Sequence, residues 1–173
     1  MIFFTADTHF GHKNIIKYSY RPFSSVTEME ETIVHNWNSR VKQDDTVYHL
    51  GDFAFVNKSE KNRLLHRLNG NICLIKGNHD KKLNAELRSK FCWIKDYHEI
   101  TGPNKVKIVL CHYAFDVWNK SHHGSWHLHG HSHGMLPPGN RMRVDVGVDT
   151  NGFHLYSMKD IELMMEYRKA DKL

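Results

Sequence analysis

Aspartate, histidine and asparagine recur along this chain in short runs able to hold metal ions: Asp7-Thr8-His9, Gly51-Asp52, Gly77-Asn78-His79-Asp80, His112 and Gly130-His131-Ser132-His133. Carboxylate, imidazole and amide donors together suit divalent cations that are neither very soft nor strictly oxygen-seeking. Two such cations about 3.5 to 4 Å apart can activate a water and neutralise a phosphoryl group as it is attacked in line. The runs differ in specificity. In a chain with 15 histidines, roughly one Asp-x-His arises by chance, and Gly51-Asp52 alone reads equally well as a turn. Gly-Asn-His-Asp is expected only on the order of 0.005 times and Gly-His-x-His roughly 0.1 times. The ordinary alternative for the former is a polar turn with a helix cap at Asn78 or Asp80.

Each run follows a β-favouring stretch, over residues 2–5, 46–50, 72–76, 106–110 and 126–129. Between the first three, helices are predicted. Met29, Ile33, Trp37 and Val41 recur at every fourth position over 27–41, with Glu28, Glu30 and Glu31 at the favourable N-terminal end. Leu64, Leu65 and Leu68 form a second stripe, with Ser59 as its cap and Asn69-Gly70 as its stop. Strand and helix alternating through residue 76 predict right-handed parallel crossovers. The carboxyl ends of the strands then share one edge, where open α/β sheets bind ligands.

A short helix is expected over 82–89, with Leu83 and Leu87 one turn apart. Beyond it the spacing predicts mainly adjacent strands at 106–110, 126–129 and 142–146, and Pro137-Pro138-Gly139 mark a tight loop. Asn151-Gly152 suits a hairpin turn into 153–156, and a last helix starts at Ser157 with Asp160 as capping partner. The final residues, 169–173, are expected to fray. With no internal repeat, 173 residues form a single α/β domain spanning 1–173.

In order along the chain, these motifs resemble the calcineurin-like metallophosphoesterase superfamily in its small stand-alone bacterial or phage form, over residues 7 to 133. The resemblance implies a β-sandwich of two mixed sheets flanked by helices, in four layers α-β-β-α. It implies that Asp7, His9, Asp52 and His133 ligate one metal and that Asp52, Asn78, His112 and His131 ligate a second, with Asp52 bridging. His79 then protonates the leaving group, with Asp80 orienting it. The implied activity is that of a hydrolase acting on phosphodiesters, or on phosphomonoesters, through a hydroxide shared by two divalent ions. Mn²⁺ is the favoured ion, and Fe, Zn²⁺ and Ni²⁺ are compatible. One position departs from the pattern. Many members carry an aspartate three residues after the bridging one, where this chain has Phe55.

Secondary candidates for substrate contact are His12 beside the first motif, Arg21 in the loop before Pro22, and His122 and His123 in the long segment 113–126. Trp118 and Trp126 of that segment are read either as bases' stacking partners or as core. A net charge of +5 favours acidic partners: a phosphorylated small molecule, a nucleotide or nucleic acid. No nucleic-acid module is recognisable, so a nuclease or phosphatase working inside a larger assembly is the alternative reading, beside a non-catalytic scaffold of the same fold. Cys73, Cys92 and Cys111 make no C-x-x-C pair, which argues against a disulfide framework. Residues 1–6 lack the basic and apolar regions of a signal peptide. A cytoplasmic protein without membrane association is expected; oligomeric state is left open.

Overall fold

The computed structural model describes residues 1–80, 85–137 and 139–170. Its elements run β1 (Ile2–Thr5), α1 (Lys13–Tyr18), α2 (Val26–Arg40), β2 (Thr46–His49), α3 (Lys58–Arg67), β3 (Asn71–Ile75), α4 (Ala85–Arg88), β4 (Ile94–Lys95), β5 (Tyr97–Thr101), β6 (Lys107–Cys111), β7 (Trp126–His129), β8 (Arg143–Asp145), β9 (Tyr156–Ser157) and α5 (Met158–Ala170). They build two mixed sheets flanked by helices, ordered β4-β3-β2-β1-β9 and β5-β6-β7-β8.

Strands β1 to β4 pair in parallel and β9 is antiparallel to β1. Alternation along β1 divides the core. Phe3 joins a buried cluster with Met29, Ile33 and Trp37 of α2 and Leu64 of α3. Phe4 faces the other way, into a cluster that links the two sheets through Leu50, Ile75, Ile108, Leu110 and Leu128. Helix α2 starts where Ser25 accepts a hydrogen bond from the Glu28 amide at 3.1 Å. Its Trp37 is fully buried, and truncation to alanine would cost about 3–5 kcal/mol. Ser157 and Asp160 form the reciprocal cap of α5, at 2.8 and 3.1 Å.

Several expectations are corrected. In the second half β6, β7 and β8 are adjacent as expected and run parallel to one another, with β5 antiparallel at the edge of their sheet. Parallel neighbours need crossovers of a dozen or more residues, and here residues 112–125 and 130–142 supply them, with no long helix among those of them that are described. Asn151-Gly152 lies in a turn that sends the chain from one sheet to the other, because β8 and β9 belong to different sheets. Helix α3 is capped by Asn57, which accepts from the Glu60 amide at 3.0 Å, so Ser59 falls inside it. Of the helix expected over 82–89, residues 85–88 are helical, and Leu83 lies outside the described residues. Trp118 and Trp126 are both core, 6% and 4% exposed, so neither offers a face to a base. Cys73 and Cys111 are buried and unpaired. Among the described residues no helix is long and apolar enough to cross a membrane.

Candidate metal centre

Five parallel strands, β1, β2 and β3 of one sheet and β6 and β7 of the other, each deliver candidate ligands just beyond their carboxyl ends. The donor atoms form two groups, Asp7 with His9 and His133, and Asp52 with His112 and His131, each set lying within 4.8 Å of one another. Asp52 Oδ2 lies 3.7 Å from His9 Nε2 and 3.6 Å from His112 Nε2, so this carboxylate reaches both groups. Asn78 Oδ1 lies 3.1 Å from His112 Nε2. All seven predicted ligands are thereby brought together. The close approach depends on missing side chains: a Cβ on Gly77 would fall 2.1 Å from Asp52 Oδ1, and one on Gly130 would fall 2.7 Å from Asp7 Oδ2.

The residues present fit a pair of cations. Asp7 Oδ1 and His9 Nε2 are buried with no hydrogen-bond partner, an arrangement that costs about 1–3 kcal/mol per group unless something else satisfies it. Burial, then the charges of Asp145 and Asp52, push the Asp7 carboxyl well above its ordinary range. Burial, then Arg21, drives the His9 imidazole far below its usual value. Burial likewise lowers His112, against the opposing pull of Asp52. A cluster of buried carboxylates and neutral imidazoles with lone pairs aimed inward is the environment a divalent cation compensates.

Behind the donors stand residues that orient them. The Nδ1–H of His133 donates to Asp149 Oδ2 at 2.7 Å, and Asp149 accepts two further bonds from Arg21, both at 2.8 Å. The Nδ1–H of His112 donates to the Leu50 carbonyl at 2.7 Å. Both arrangements leave Nε2 free for a metal. His49, fully buried and pushed down to about 3 by burial, accepts from the Gly51 amide and donates to Thr8 Oγ1 at 2.9 Å, which stitches the loops after β1 and β2.

Two assignments change. Arg21, expected to touch substrate, is 4% exposed; besides Asp149 it binds the carbonyls of Asp7 and Thr8 at 2.7 and 3.2 Å. Its role is to brace the loop that carries Asp7 and His9. Asp80, expected to orient His79, instead accepts from the amides of Asp52, Gly77 and Phe53 at 2.7, 3.0 and 3.1 Å. It fastens the second motif to the third. His122 and His123 lie on an exposed turn with ring centres 4.1 Å apart, and neither makes a ring contact or hydrogen bond with the centre.

His79 is tied by its amide to Asp52 Oδ1 at 2.9 Å, with its half-exposed ring leaving Nε2 4.0 Å from Asp52 Oδ2. Phe55, the departure from the expected pattern, is what its ring leans on, at 4.4 Å between centres. His12 stacks on the same phenyl at 4.0 Å and lies 3.2 Å from His9, nitrogen to nitrogen.

Sequence reasoning missed Asp149, and Asp145, whose carboxylate accepts from Ser132 Oγ and the amides of Gly134 and Gly147 at 2.7, 2.8 and 2.8 Å. The signal was present. Both follow or end β8, the next parallel strand along the same edge.

No family model matches the chain. It is 26% identical to the Gene 66 protein of Mycobacterium phage L5, over 86% of this chain and 86% of that one. A solved structure, the protein of unknown function AQ665 from Aquifex aeolicus, superposes with a TM-score of 0.75 at 27% identity, over 95% of this chain and 98% of that one. The uncharacterized protein MJ1445 of Methanocaldococcus jannaschii is 42% identical, over 98% of this chain and 93% of its own length. At that identity over nearly the full length of both chains, this chain belongs to the same family as MJ1445.

Proposed function

We propose that the chain is a calcineurin-like metallophosphoesterase, with its helices and sheets arranged in four layers, that hydrolyses phosphodiesters ahead of phosphomonoesters. The observation that supports this most is the shared carboxylate, Asp52, within 4 Å of imidazole nitrogens from both donor groups. Asp7, His9, Asp52 and His133 would hold one divalent cation, and Asp52, Asn78, His112 and His131 the other. Two cations there, with Mn²⁺ proposed ahead of Fe, Zn²⁺ or Ni²⁺, supply charge neutralisation on the phosphoryl oxygens and acidify the attacking water.

The chain's own groups account for the remainder. Asp149 and the Leu50 carbonyl hold His133 and His112 in one tautomer. His79, held by its amide and by Phe55, carries a proton at the exposed side of the centre, where a departing oxygen can take it. Phosphoester hydrolysis gains chiefly from positioning and electrostatics, so no side-chain nucleophile is required.

The test is hydrolysis of bis-p-nitrophenyl phosphate, p-nitrophenyl phosphate and an alkyl phosphodiester by the Mn²⁺-loaded chain. Turnover should vanish with chelator. His79→Ala should keep its metal and lose about 10²- to 10⁴-fold on the alkyl ester, and less where the leaving group needs no proton. A metal-loaded chain inert toward all three substrates refutes the proposal, and undiminished turnover in His79→Ala removes that residue from its role.

A further inference from the structure

On its His79 side the candidate centre adjoins a cavity of about 550 Å³, within the range of roughly 300–1,000 Å³ for small-molecule sites. Asn78 and His79 line it together with Phe55, Val56, Lys58 and Lys61. The cavity thus begins at a candidate ligand and at the group assigned to protonate the departing oxygen. Among the described residues no carboxylate lines it.

The two lysines stand three residues apart on α3, which places them on one face of the helix. They are not equivalent. Lys58 pairs with Glu86 at 2.7 Å where both side chains are half-exposed, and water screens such a pair. Lys61 is 7% exposed, a burial that lysine almost never reaches without a partner. Among the described residues its ammonium makes no hydrogen bond or ion pair, and Lys81, Lys82, Leu83 and Asn84, outside them, hold no carboxylate. Helix α5, which leads to Asp171, packs through Ile161 and Met165 in the other core cluster. Burial lowers the Lys61 pKa, and the opposing pull comes from Asp80, a carboxylate already held by three backbone amides. A buried ammonium with donors to spare, beside a cavity free of described carboxylates, is suited to an anion.

What lies beyond His79 in this cavity is the part of a substrate that departs, with Val56 and Leu87 available to its carbon atoms. Resting on the phosphoesterase activity proposed above, we propose that the preferred substrate is a phosphodiester whose leaving alcohol carries a second phosphate, and that Lys61 is the specificity residue that binds it. An ammonium binds phosphate as a point charge, and Lys58 on the same helix face adds attraction for its second negative charge. Water adds to phosphorus, the bond to the alcohol oxygen breaks, and His79 returns a proton to that oxygen, so the phosphorylated alcohol is released intact.

The test gives the Mn²⁺-loaded full chain methyl 3-phosphonopropyl phosphate, whose phosphonate cannot be hydrolysed, beside methyl propyl phosphate, and measures the two alcohols released from each. The parent should favour 3-phosphonopropanol over methanol by about 10- to 100-fold more than it favours propanol over methanol, and Lys61→Met should lose that bias. Binding is read separately in the chain stripped of metal, from the methyl resonances of Val56 and Leu87 as 3-phosphonopropanol is added. Saturable shifts are expected, with affinity about 10- to 100-fold weaker in Lys61→Met. Should that variant fail to fold, the parent's alcohol ratio and saturation decide alone. Absence of saturable shifts, equal affinity in Lys61→Met, or an alcohol ratio indifferent to the phosphonate would each overturn the assignment. Inertness toward both esters with Lys61-dependent saturation retained would refute the phosphoesterase activity and uphold the anion site; turnover without bias would do the reverse.

Discussion

Asp149→Asn tests whether the architecture behind the ligands matters as much as the ligands. Asp149 Oδ2 accepts from both His133 Nδ1 and an Arg21 nitrogen, while Oδ1 accepts from Arg21 Nε. An amide cannot serve all three donors: whichever way it is turned, its NH₂ faces an N–H that must donate. The guanidinium it leaves under-compensated has a side chain that is fully buried, and breaking a buried pair of this kind costs about 3–5 kcal/mol. Since the carboxylate is replaced by an isostere that keeps some of its bonds, the lower end applies, about 3 kcal/mol. For a chain of this length that corresponds to a fall in Tm of about 6–12 °C.

The second consequence falls on the metal. With an amide donor opposite Nδ1, His133 is driven toward the tautomer carrying its proton on Nε2, so the cation held with Asp7 and His9 should bind about 10- to 100-fold more weakly. The two effects separate experimentally: thermal melts in chelator report the first, and calorimetric Mn²⁺ titration reports the second. Burial would raise the Asp149 pKa, but the bonds from His133 and Arg21 outweigh it and hold the group below its usual range. A depressed carboxylate adds stability above its unfolded pKa of about 4 and loses it as pH falls through the lower folded value. The gap between parent and variant should therefore be full at pH 7 and narrow in strong acid. A variant melting within 2 °C of the parent at pH 7, with unchanged Mn²⁺ affinity, would show that the Arg21–Asp149–His133 chain braces nothing.

Three further substitutions follow from the same geometry. Asp7→Asn should raise the Tm of the chelated protein near pH 8 while abolishing metal binding: a carboxyl raised by burial costs stability as pH climbs through its folded value, so a lower Tm in the variant would contradict it. Phe55→Ala should leave metal stoichiometry intact yet reduce turnover toward that of His79→Ala, because His79 and His12 both rest on that phenyl; unchanged kcat in steady-state assays would free His79 from this support. Asp80→Asn should behave as a structural lesion, losing about 2–3 kcal/mol by denaturant titration and weakening metal binding, since three backbone amides depend on its oxygens; a fully stable variant with only a catalytic defect would restore the orienting role.

The sequence pointed to the candidate ligands because their spacing follows the strands. Each motif ends an apolar run, and a parallel sheet allows only one edge for those ends. What escaped was the direction of the strands in the second half: with no helical periodicity between β6, β7 and β8, nothing in the pattern distinguishes parallel neighbours from hairpins. Asp145 and Asp149, at and beyond the end of β8, were missed although the strand that leads to them was expected. Arg21 and Asp80 were misread for a different reason. Their residue types and proximity to motifs suit chemistry, but only burial decides whether a charged group faces a cleft or the backbone, and at 4% and 2% exposure both face the backbone. Phe55 shows the reverse, a departure whose replacement still occupies the junction between three histidines.

The residue types at the edge answer two demands at once. Asp7, His9, Asp52, His131 and His133 all have φ between 48° and 69°, the left-handed region that disfavours most side chains and in which aspartate, asparagine and histidine are the best tolerated after glycine. Five of the seven candidate ligands thus hold a conformation that glycine would adopt more cheaply, yet glycine carries no donor. Such strain persists only when surrounding contacts enforce it, and here they are identifiable: Arg21 on the carbonyl of Asp7, Asp80 on the amide of Asp52, Asp7 itself on the amide of His131. The sharp turns aim successive donors inward from short loops, so the backbone cost, the orphaned lone pairs and the raised Asp7 carboxyl are aspects of one arrangement. A fold selected for stability alone would have removed each of them; a cation pair would relieve the last two.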